Sequence, residues 1–283
     1  MTRRCLKTLL KTIESQNATK IEVLVVDNAS HDKTISDLQK IETSYKEKNV
    51  SLTIIRNSEN LGYSKANNKG AALAQGKYFL FLNSDVIVNN ISFEWLIERM
   101  EKDSNTAALT IQVLLEQGKL DWASHRGFPT IWRSFCYFAG LEKIFGRIPL
   151  LDRVFGGYHL TFLNLKKSHE IDSATGAFYL VRKEVFDKVD GFDESFFMYG
   201  EDLDLSFRIK QLGYKIMYDP KYKVDHLKYQ SGFQSPDAET KEKTKKYFYD
   251  AMKIFYDKHY AKRTSPIFNR LIYWVIEQKA KRS

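Results

Sequence analysis

Residues 21–27, Ile-Glu-Val-Leu-Val-Val-Asp, form a β-branched apolar run that ends on an acid. Such a run predicts a strand buried on both faces. Similar runs recur along the chain and alternate with stretches of helical periodicity. The predicted strands are 21–27, 50–55, 78–82, 107–113, 174–181 and 215–218, and the predicted helices are 3–15, 31–47, 64–74, 92–103 and 201–212. The alternation predicts an α/β fold with a mostly parallel central sheet and helices on both of its faces.

The order of these elements also predicts one irregularity and the domain boundaries. The alternation opens on the helix at 3–15, so the unit lacks the strand that usually comes first. We expect one α/β domain over residues 1–236, divided into halves 1–106 and 107–236. A basic, aromatic, helical C-terminal extension is expected over 237–283.

The composition limits the classes of protein and partner. The chain has 283 residues, of which 43% are hydrophobic, enough for one substantial core. Cys5 and Cys136 lie far apart, which indicates neither a disulfide framework nor a zinc site and favours a reducing cytosol. No apolar run approaches the roughly 20 residues that cross a bilayer. The net charge of +9 favours an anionic partner: nucleic acid, an acidic membrane surface or a diphosphate.

The C-terminal extension allows two interpretations. Basic and aromatic residues alternate over 243–260, and large apolar residues at 267–276 precede Lys279, Lys281 and Arg282. Such a segment can lie on an anionic membrane surface. It can also pack on the domain with its lysine side chains reaching water. The two interpretations are equal for 243–260, whereas the membrane is favoured for 264–283.

Two acids directly follow predicted strands. Asp27 ends the strand at 21–27, and Asp85 lies three residues after the strand at 78–82. Ligands of open α/β sheets bind beyond the carboxyl ends of the strands, so both acids are placed to meet one ligand. Each acid, taken alone, is also explained as a turn-forming residue.

A second group of candidates lies further along the chain. Glu201 and Asp202 open the helix at 201–212, where acids commonly complement the helix dipole. Asp204 is explained as an i,i+4 partner of Arg208. Asp202 has no such partner, and His226 follows the last predicted strand. Asp202 is therefore the strongest catalytic candidate of this group.

Several ordered motifs carry a family resemblance. They are Val25-Val-Asp-Asn-Ala-Ser30, Asn60-Leu-Gly-Tyr63, Phe81-Leu-Asn-Ser-Asp85, Thr175-Gly-Ala-Phe-Tyr-Leu-Val-Arg182, Gly191-Phe-Asp-Glu194, Phe196-Phe-Met-Tyr-Gly-Glu-Asp-Leu-Asp204 and Asp225-His226. In this order and spacing, the chain resembles the rhamnosyltransferase-like members of family 2 glycosyltransferases, which have the GT-A fold. The resemblance covers residues 3–260. It implies that 1–106 is the nucleotide-sugar-binding half and 107–236 the acceptor and catalytic half.

The resemblance also implies roles for single residues. Asp202 matches the catalytic base, with Glu201 beside it, and Asp85 and His226 match the site of a divalent metal, Mn²⁺ or Mg²⁺. Asn83 stands where the family's DxD-type motif has its first acid. The residues matching the donor site are Asp27, Asn28, Asn60, Gly62, Lys65, Asn83 and Asp85. Candidates on the acceptor side are Arg126, Trp132, Arg133 and Gly176.

The function implied is an inverting transfer of rhamnose or another hexose from a dTDP- or UDP-sugar. The acceptor would be a glycan or a polyprenyl-diphosphate-linked glycan in cell-surface polysaccharide synthesis. A divalent cation on few protein ligands suits the charge that develops on the departing diphosphate. A single carboxylate acting as base opposite the leaving group gives inversion. The expected location is the cytoplasmic face of the membrane, with a homodimer as a further expectation.

Three alternatives remain open at this stage. A sugar nucleotidyltransferase would need a glycine-rich, basic loop after its first strand, and none is visible. A catalytically impaired glycosyltransferase-like protein, acting as a membrane-associated partner, would fit the lacking first strand. A nucleic-acid-binding module would fit the charge, but the chain carries no recognition motif, so we expect no nucleic-acid partner.

Overall fold

Helices and strands alternate through the first 114 residues, as the sequence predicts, except that β4, a short strand that was not predicted, directly follows β3. The computed structural model describes residues 1–16, 20–45, 50–228 and 237–282. Residues 46–47 of one predicted helix and the predicted boundary at 236 lie outside this part. The helices are α1 Thr2–Glu14, α2 Thr34–Tyr45, α3 Gly62–Leu73, α4 Phe93–Glu101, α5 Ile131–Phe138, α6 Leu141–Phe145, α7 Leu151–Phe155, α8 Lys183–Lys188, α9 Glu201–Gln211, α10 Ala238–His259 and α11 Pro266–Arg282. The strands are β1 Glu22–Asp27, β2 Ser51–Arg56, β3 Tyr78–Leu82, β4 Val86–Val88, β5 Thr106–Leu114, β6 His169–Ile171, β7 Phe178–Arg182 and β8 Lys215–His226.

The described strands form two sheets. β1 and β2 pair in parallel as a two-stranded sheet. The second sheet has the order β3-β7-β5-β8-β4, with β6 paired to β8. Helices cover both faces, and the cores on either side contain Leu10, Leu96 and Leu109 in one cluster and Tyr179, Leu205 and Ile216 in the other. The predicted α/β layers are confirmed.

The direction of the strands differs from the prediction. β1–β2 and β5–β8 are parallel, whereas β3–β7, β5–β7, β4–β8 and β6–β8 are antiparallel. The sheet is therefore mixed rather than mostly parallel. The prediction treated every intervening helix as a crossover between parallel strands. β7 instead enters between β3 and β5 in the opposite direction after the irregular segment at 115–168.

The last strand is longer than predicted. β8 extends to His226, eight residues past the predicted end at Tyr218. The sequence does not indicate this extension, because proline is unusual inside a strand and Pro220 interrupts the apolar run. The residues of 221–225 then alternate between exposed and more buried positions, and the exposed ones are charged. His226 is consequently the final residue of a paired strand and is held by its ladder.

A gap separates the two sheets. β1 pairs with β2 and β3 pairs with β7, but no pairing joins β1 to β3 among the described residues. Apolar side chains of both strands line one cleft between them, together with Leu6 and Leu9 of α1. Glu22 bridges its narrow end by accepting the backbone N–H groups of Gln75 and Gly76 at 2.5 and 2.8 Å.

The helix α10 packs on the domain. Asp204 accepts hydrogen bonds from His259 Nε2 at 2.7 Å and pairs with Lys258 at 2.8 Å, besides its predicted partner Arg208 at 2.7 Å. Phe255 is buried in a cluster with Phe196 and Leu203. These contacts support the packed-helix interpretation for residues 243–260. None of the helices within the described ranges is long and apolar enough to cross a membrane.

Candidate active site

Strand pairing brings Asp85 and His226 together. Asp85 lies in the turn between β3 and β4, and the first residue of β4, Val86, pairs with His226 at the end of β8. Asp85 Oδ1 is 3.2 Å from His226 Nε2, and the Asp85 backbone C=O accepts the N–H of Leu227 at 3.0 Å. The two residues are 141 positions apart in sequence but adjacent in the sheet. The predicted metal-site pair is thus assembled in space.

A third side chain, Asp121, orients the histidine. His226 Nδ1 lies 2.9 Å from Asp121 Oδ2, and Asp121 Oδ1 accepts from Lys228 Nζ at 3.0 Å. Burial works to lower the pKa of His226, but its hydrogen bonds to Asp121 and Asp85 outweigh burial and raise it. Burial of Asp121 is likewise outweighed by His226 and Lys228, which lower its pKa to about 2. Asp121 is therefore a fixed carboxylate behind the imidazole.

The second half of the site is the start of α9. Gly200 precedes the helix with a positive φ of 80°, and Asp202 occupies its first turn. Asp202 Oδ1 accepts from Arg126 Nη2 and from its neighbour's backbone N–H, each at 2.7 Å, and Oδ2 accepts the Gly176 N–H at 3.1 Å. These three N–H donors fix the orientation of the buried Asp202 side chain, which lines the cleft.

Glycine is required at position 176. A Cβ there would lie 2.3 Å from Tyr63 Oη, so a larger residue would displace Tyr63 or the loop. The backbone of Gly176 can therefore approach both Tyr63 and Asp202. Gly176 and Arg126, predicted on the acceptor side, lie directly beside the predicted base.

Glu201 differs from Asp202 in its surroundings. Burial, and next the nearby Asp202, raise the pKa of Glu201 to about 8. Its Oε2 atom is buried and has no hydrogen-bond partner in the described structure, which fits a protonated carboxyl better than a charged one. The raised pKa and the unpartnered oxygen both favour the protonated form of Glu201.

Substitution of Glu201 by Gln tests this protonation state. The folded-state pKa of Glu201 is about 8, above the ordinary 4.5. The stability linked to this difference is fully present below pH about 4.5 and is lost as the pH rises through about 8. We expect wild-type Tm to fall by several degrees more than that of Glu201→Gln between pH about 5 and about 9. Thermal unfolding across this range measures the difference. The exposed Glu184→Gln should follow wild type; identical pH profiles of Glu201→Gln and wild type would contradict the assignment.

Asparagine residues shape the end of the cleft next to β1. Asn28 Nδ2 donates to Asn60 Oδ1 at 2.9 Å and to the Gly62 C=O at 3.0 Å, and Asn28 Oδ1 accepts from Asn57 Nδ2 at 3.0 Å. Gly62 has a φ of 79°, and a Cβ there would lie 2.5 Å from the Phe197 C=O. Hydrogen bonds thus join three predicted donor residues, Asn28, Asn60 and Gly62, across two neighbouring segments, and Asn28 and Gly62 line the cleft.

The other predicted donor residues are placed differently. Asp27 is buried at the end of β1, where Oδ2 accepts the Ser30 N–H at 3.2 Å, and it lines the same cleft as Asp85. Asn83 is half-buried, also lines the cleft, and its C=O lies 3.5 Å from Cys5 Sγ. Lys65 lies exposed on α3 and is not among the residues that line the cleft.

Two predicted acceptor residues lie farther from the base. Arg133 Nη1 pairs with Asp172 Oδ2 at 2.6 Å, and its guanidinium packs where a Cβ on Gly127 or Gly157 would stand. Its contacts are those of a structural residue. Trp132 is half-exposed on α5, donates from Nε1 to the Val154 C=O at 2.9 Å, and lines the outer part of the cleft.

Sequence reasoning missed Asp121, Asn57 and Tyr63. Asp121 lies seven residues beyond the end of β5, so the criterion used for Asp27 and Asp85, an acid just beyond a strand, does not reach it. The irregular segment between them has no periodicity that indicates this position. Asn57 and Tyr63 lack a signal of their own, because asparagine and tyrosine near a turn are ordinary.

Solved structures of sugar-transferring enzymes share this fold. GalNAc-T7, solved with UDP, GalNAc and Mn²⁺, superimposes with a TM-score of 0.57 at 16% identity, over 89% of this chain and 47% of that one. At this identity the likeness shows the fold, which is the GT-A arrangement.

The chain belongs to glycosyl transferase family 2, which it matches over residues 1–189. A further match, to the N-terminal domain of galactosyltransferase, covers 156–230. The chain is 29% identical to the rhamnosyltransferase WbbL of Escherichia coli over 58% of this chain and 60% of that protein. It is 25% identical to the N-acetylglucosaminyl-diphospho-decaprenol L-rhamnosyltransferase of Mycobacterium tuberculosis over 82% and 74% of the respective lengths. The rhamnosyltransferase-like resemblance is confirmed.

Proposed function

We propose that this protein is an inverting hexosyltransferase that moves rhamnose, or a related hexose, from a dTDP- or UDP-sugar to a lipid-linked glycan acceptor. Asp202 acts as the base, and a divalent metal binds at Asp85 and His226. One observation carries the proposal: the Asp85–His226 pair and the Asp202 carboxylate line the same cleft. The relatives' printed activities support the sugar and the polyprenyl-type acceptor. Since the chain spans about 60% of WbbL's length, the activity of that whole protein remains part of this proposal.

The acceptor side of the reaction uses Asp202. A carboxylate oxygen takes the proton of the acceptor hydroxyl, whose oxygen then bonds to the anomeric carbon of the donor. The bond from that carbon to the diphosphate oxygen breaks, and the nucleoside diphosphate leaves with the bonding pair. Burial raises the pKa of Glu201 to about 8 and favours its protonated form, so we assign it no role as base or nucleophile. One attack from the face opposite the leaving group inverts the anomeric configuration.

The leaving-group side fits a divalent metal that takes most of its ligands from the donor diphosphate. Among the described residues, no three His, Cys, Asp or Glu side chains converge as a complete ligand set. Asp85 and His226 offer one oxygen and one nitrogen, a set that Mn²⁺ accepts more readily than Mg²⁺. Asp121 behind His226 is the carboxylate partner that metal-bound histidines usually have. A bound cation would neutralise the charge that develops on the diphosphate.

Asp121→Asn tests the role of this partner. The amide cannot hold His226 Nδ1–H as strongly, so the imidazole loses orientation and basicity. We expect Mn²⁺ affinity to fall by about 10- to 100-fold. Calorimetric titration of Mn²⁺ in the presence of the donor nucleoside diphosphate measures it. Asp103→Asn, an exposed partner of Lys215, is the control; equal affinities of Asp121→Asn and wild type would exclude this role.

The donor is tested by titration and turnover. Purified protein with Mn²⁺ is titrated with dTDP- and UDP-sugars, and release of the nucleoside diphosphate is followed with the corresponding polyprenyl-diphosphate glycan as acceptor. Binding of a dTDP- or UDP-sugar and acceptor-dependent release support the proposal, and NMR of the product gives its anomeric configuration. A retained configuration would overturn the mechanism.

A second candidate rests on the gap between β1 and β3. That gap leaves the donor end of the cleft open on one side, as expected for a catalytically impaired member that acts as a membrane-associated partner. Failure of every donor to bind would favour this candidate over the enzyme. Both candidate functions place the protein in the cytoplasm at the membrane surface.

A further inference from the structure

Exposed apolar side chains are concentrated in two segments of the chain. Of the nineteen large hydrophobic side chains exposed in the described structure, fifteen lie in residues 131–154 or 267–275. The first segment contains α5, α6 and α7, and the second belongs to α11. Scattered exposed apolar residues are ordinary, but a contiguous set on neighbouring helices marks a binding surface.

The exposed stripe on α11 is not an unfinished core. Ile267, Leu271, Trp274 and Val275 follow the i, i+4, i+7, i+8 spacing of one helix face. The opposite face packs on α10, where Ile276 is buried and the Tyr273 hydroxyl donates to Asp257. The helix is therefore anchored on one side and presents its apolar face to the outside.

The two segments meet and form one surface. Lys279 Nζ lies 4.4 Å from the centroid of the Phe138 ring, which joins α11 to α5. The cleft that contains Asp202 continues between these helices, and its outer walls are apolar: Phe135, Phe138, Phe268 and Leu271. The surface thus begins at the mouth of the active site.

The net positive charge of this surface favours an anionic partner. Residues 131–155 and 266–282 contain eight Lys and Arg side chains against three acids. Two of the acids are already paired, Glu142 with His159 and Glu277 with Lys253. A symmetric dimer through this surface would bring like charges together. An apolar helix face bordered by cations instead suits an anionic lipid surface.

We propose that α5–α7 and α11 together form a docking surface for an anionic lipid bilayer. Trp132 and Trp274 enter the interfacial layer, where indole rings are favoured, and the basic side chains reach the headgroups. The apolar mouth of the cleft then faces the membrane, so a lipid-linked substrate can approach Asp202 without leaving the bilayer. Only this last point rests on the proposed function; bilayer docking does not.

Vesicle co-sedimentation tests the surface. The full chain is expected to sediment with phosphatidylcholine vesicles that contain phosphatidylglycerol and much less with phosphatidylcholine alone. Leu271→Glu/Trp274→Glu should lower the affinity by about tenfold or more, because charges replace the inserting side chains. Both positions are exposed, at 51% and 58%, so the fold should tolerate the change. The control is Leu212→Glu, 53% exposed on another part of the molecule.

The outcomes separate docking from catalysis. Wild-type protein that ignores anionic vesicles, or a double variant that binds them like wild type, would overturn the docking surface. A wild-type dimer that the double variant converts to a monomer, without vesicle binding, would show a self-association surface instead and also overturn it. Vesicle binding without nucleotide release from any donor would leave docking intact and remove the proposed function. Nucleotide release without vesicle binding would overturn the docking surface and leave the proposed transferase activity intact.

Discussion

Replacing Asp202 with Asn is expected to lower kcat by about 10³-fold or more while donor affinity changes little. The amide cannot take the acceptor proton, and general-base catalysis contributes about 10²- to 10⁴-fold. Asn also places an NH₂ group opposite one of the three N–H donors that now bind the carboxylate, those of Arg126, Leu203 and Gly176. Some loss of stability should therefore accompany the loss of turnover. Single-turnover kinetics with saturating donor, together with donor titration, separates the two effects.

Two companion variants sharpen this experiment. Asp187→Asn changes an exposed acid that pairs with Lys183 and should keep wild-type turnover. Glu201→Gln keeps an uncharged side chain where the raised pKa favours a protonated carboxyl, so turnover should fall far less than in Asp202→Asn. The opposite order, with Glu201→Gln the inactive variant, would transfer the role of base to Glu201.

Replacing Asp85 with Ala is expected to abolish metal-dependent donor binding and to lower kcat/KM by about 10³-fold. The change removes the proposed oxygen ligand, Asp85 Oδ1, which lies 3.2 Å from His226 Nε2. His226 is then the one protein ligand that remains of the proposed pair. A cation that neutralises a departing diphosphate contributes several kcal/mol, and each 1.36 kcal/mol is a factor of ten. Donor titration with Mn²⁺ and with EDTA measures the metal-dependent part.

Asp225→Ala is the matched control for Asp85→Ala. Asp225 precedes His226 on β8, but side chains alternate across a strand, and Asp225 points to solvent on the opposite face. Its loss should leave donor binding unchanged. If Asp85→Ala bound the donor as wild type does with Mn²⁺, the metal site would have to be sought elsewhere.

The two halves of the candidate site differ in how far sequence could predict them. Asp85 and Asp202 were predictable because each stands at the end of a strand or the start of a helix, where local pattern locates a cleft. Their partners were less accessible to prediction. Asp121 was missed, and Arg126 was predicted on the acceptor side but not as the partner of Asp202. Both come from the irregular segment after β5, where no periodicity indicates which side chains turn inward.

The raised pKa of Glu201 could not be predicted from the sequence either. Glu201 and Asp202 are adjacent acids in one helical turn, and the sequence treats them alike. Both are buried, and they differ in hydrogen bonding: Asp202 receives three N–H donors, whereas Glu201 Oε2 has no partner in the described structure. Desolvation without compensation keeps a carboxyl protonated, and desolvation is a property of the assembled fold.

By itself, the sequence determined the α/β layers, the family and the residues from which a catalytic pair could be chosen, because apolar periodicity and short ordered motifs are local. The tertiary structure alone decided the strand directions, since β7 enters the sheet antiparallel between β3 and β5. It also left β1 and β3 unpaired among the described residues, and it brought residues 131–154 next to α11 as one apolar surface. These features depend on contacts between residues far apart in the chain, which no local pattern records.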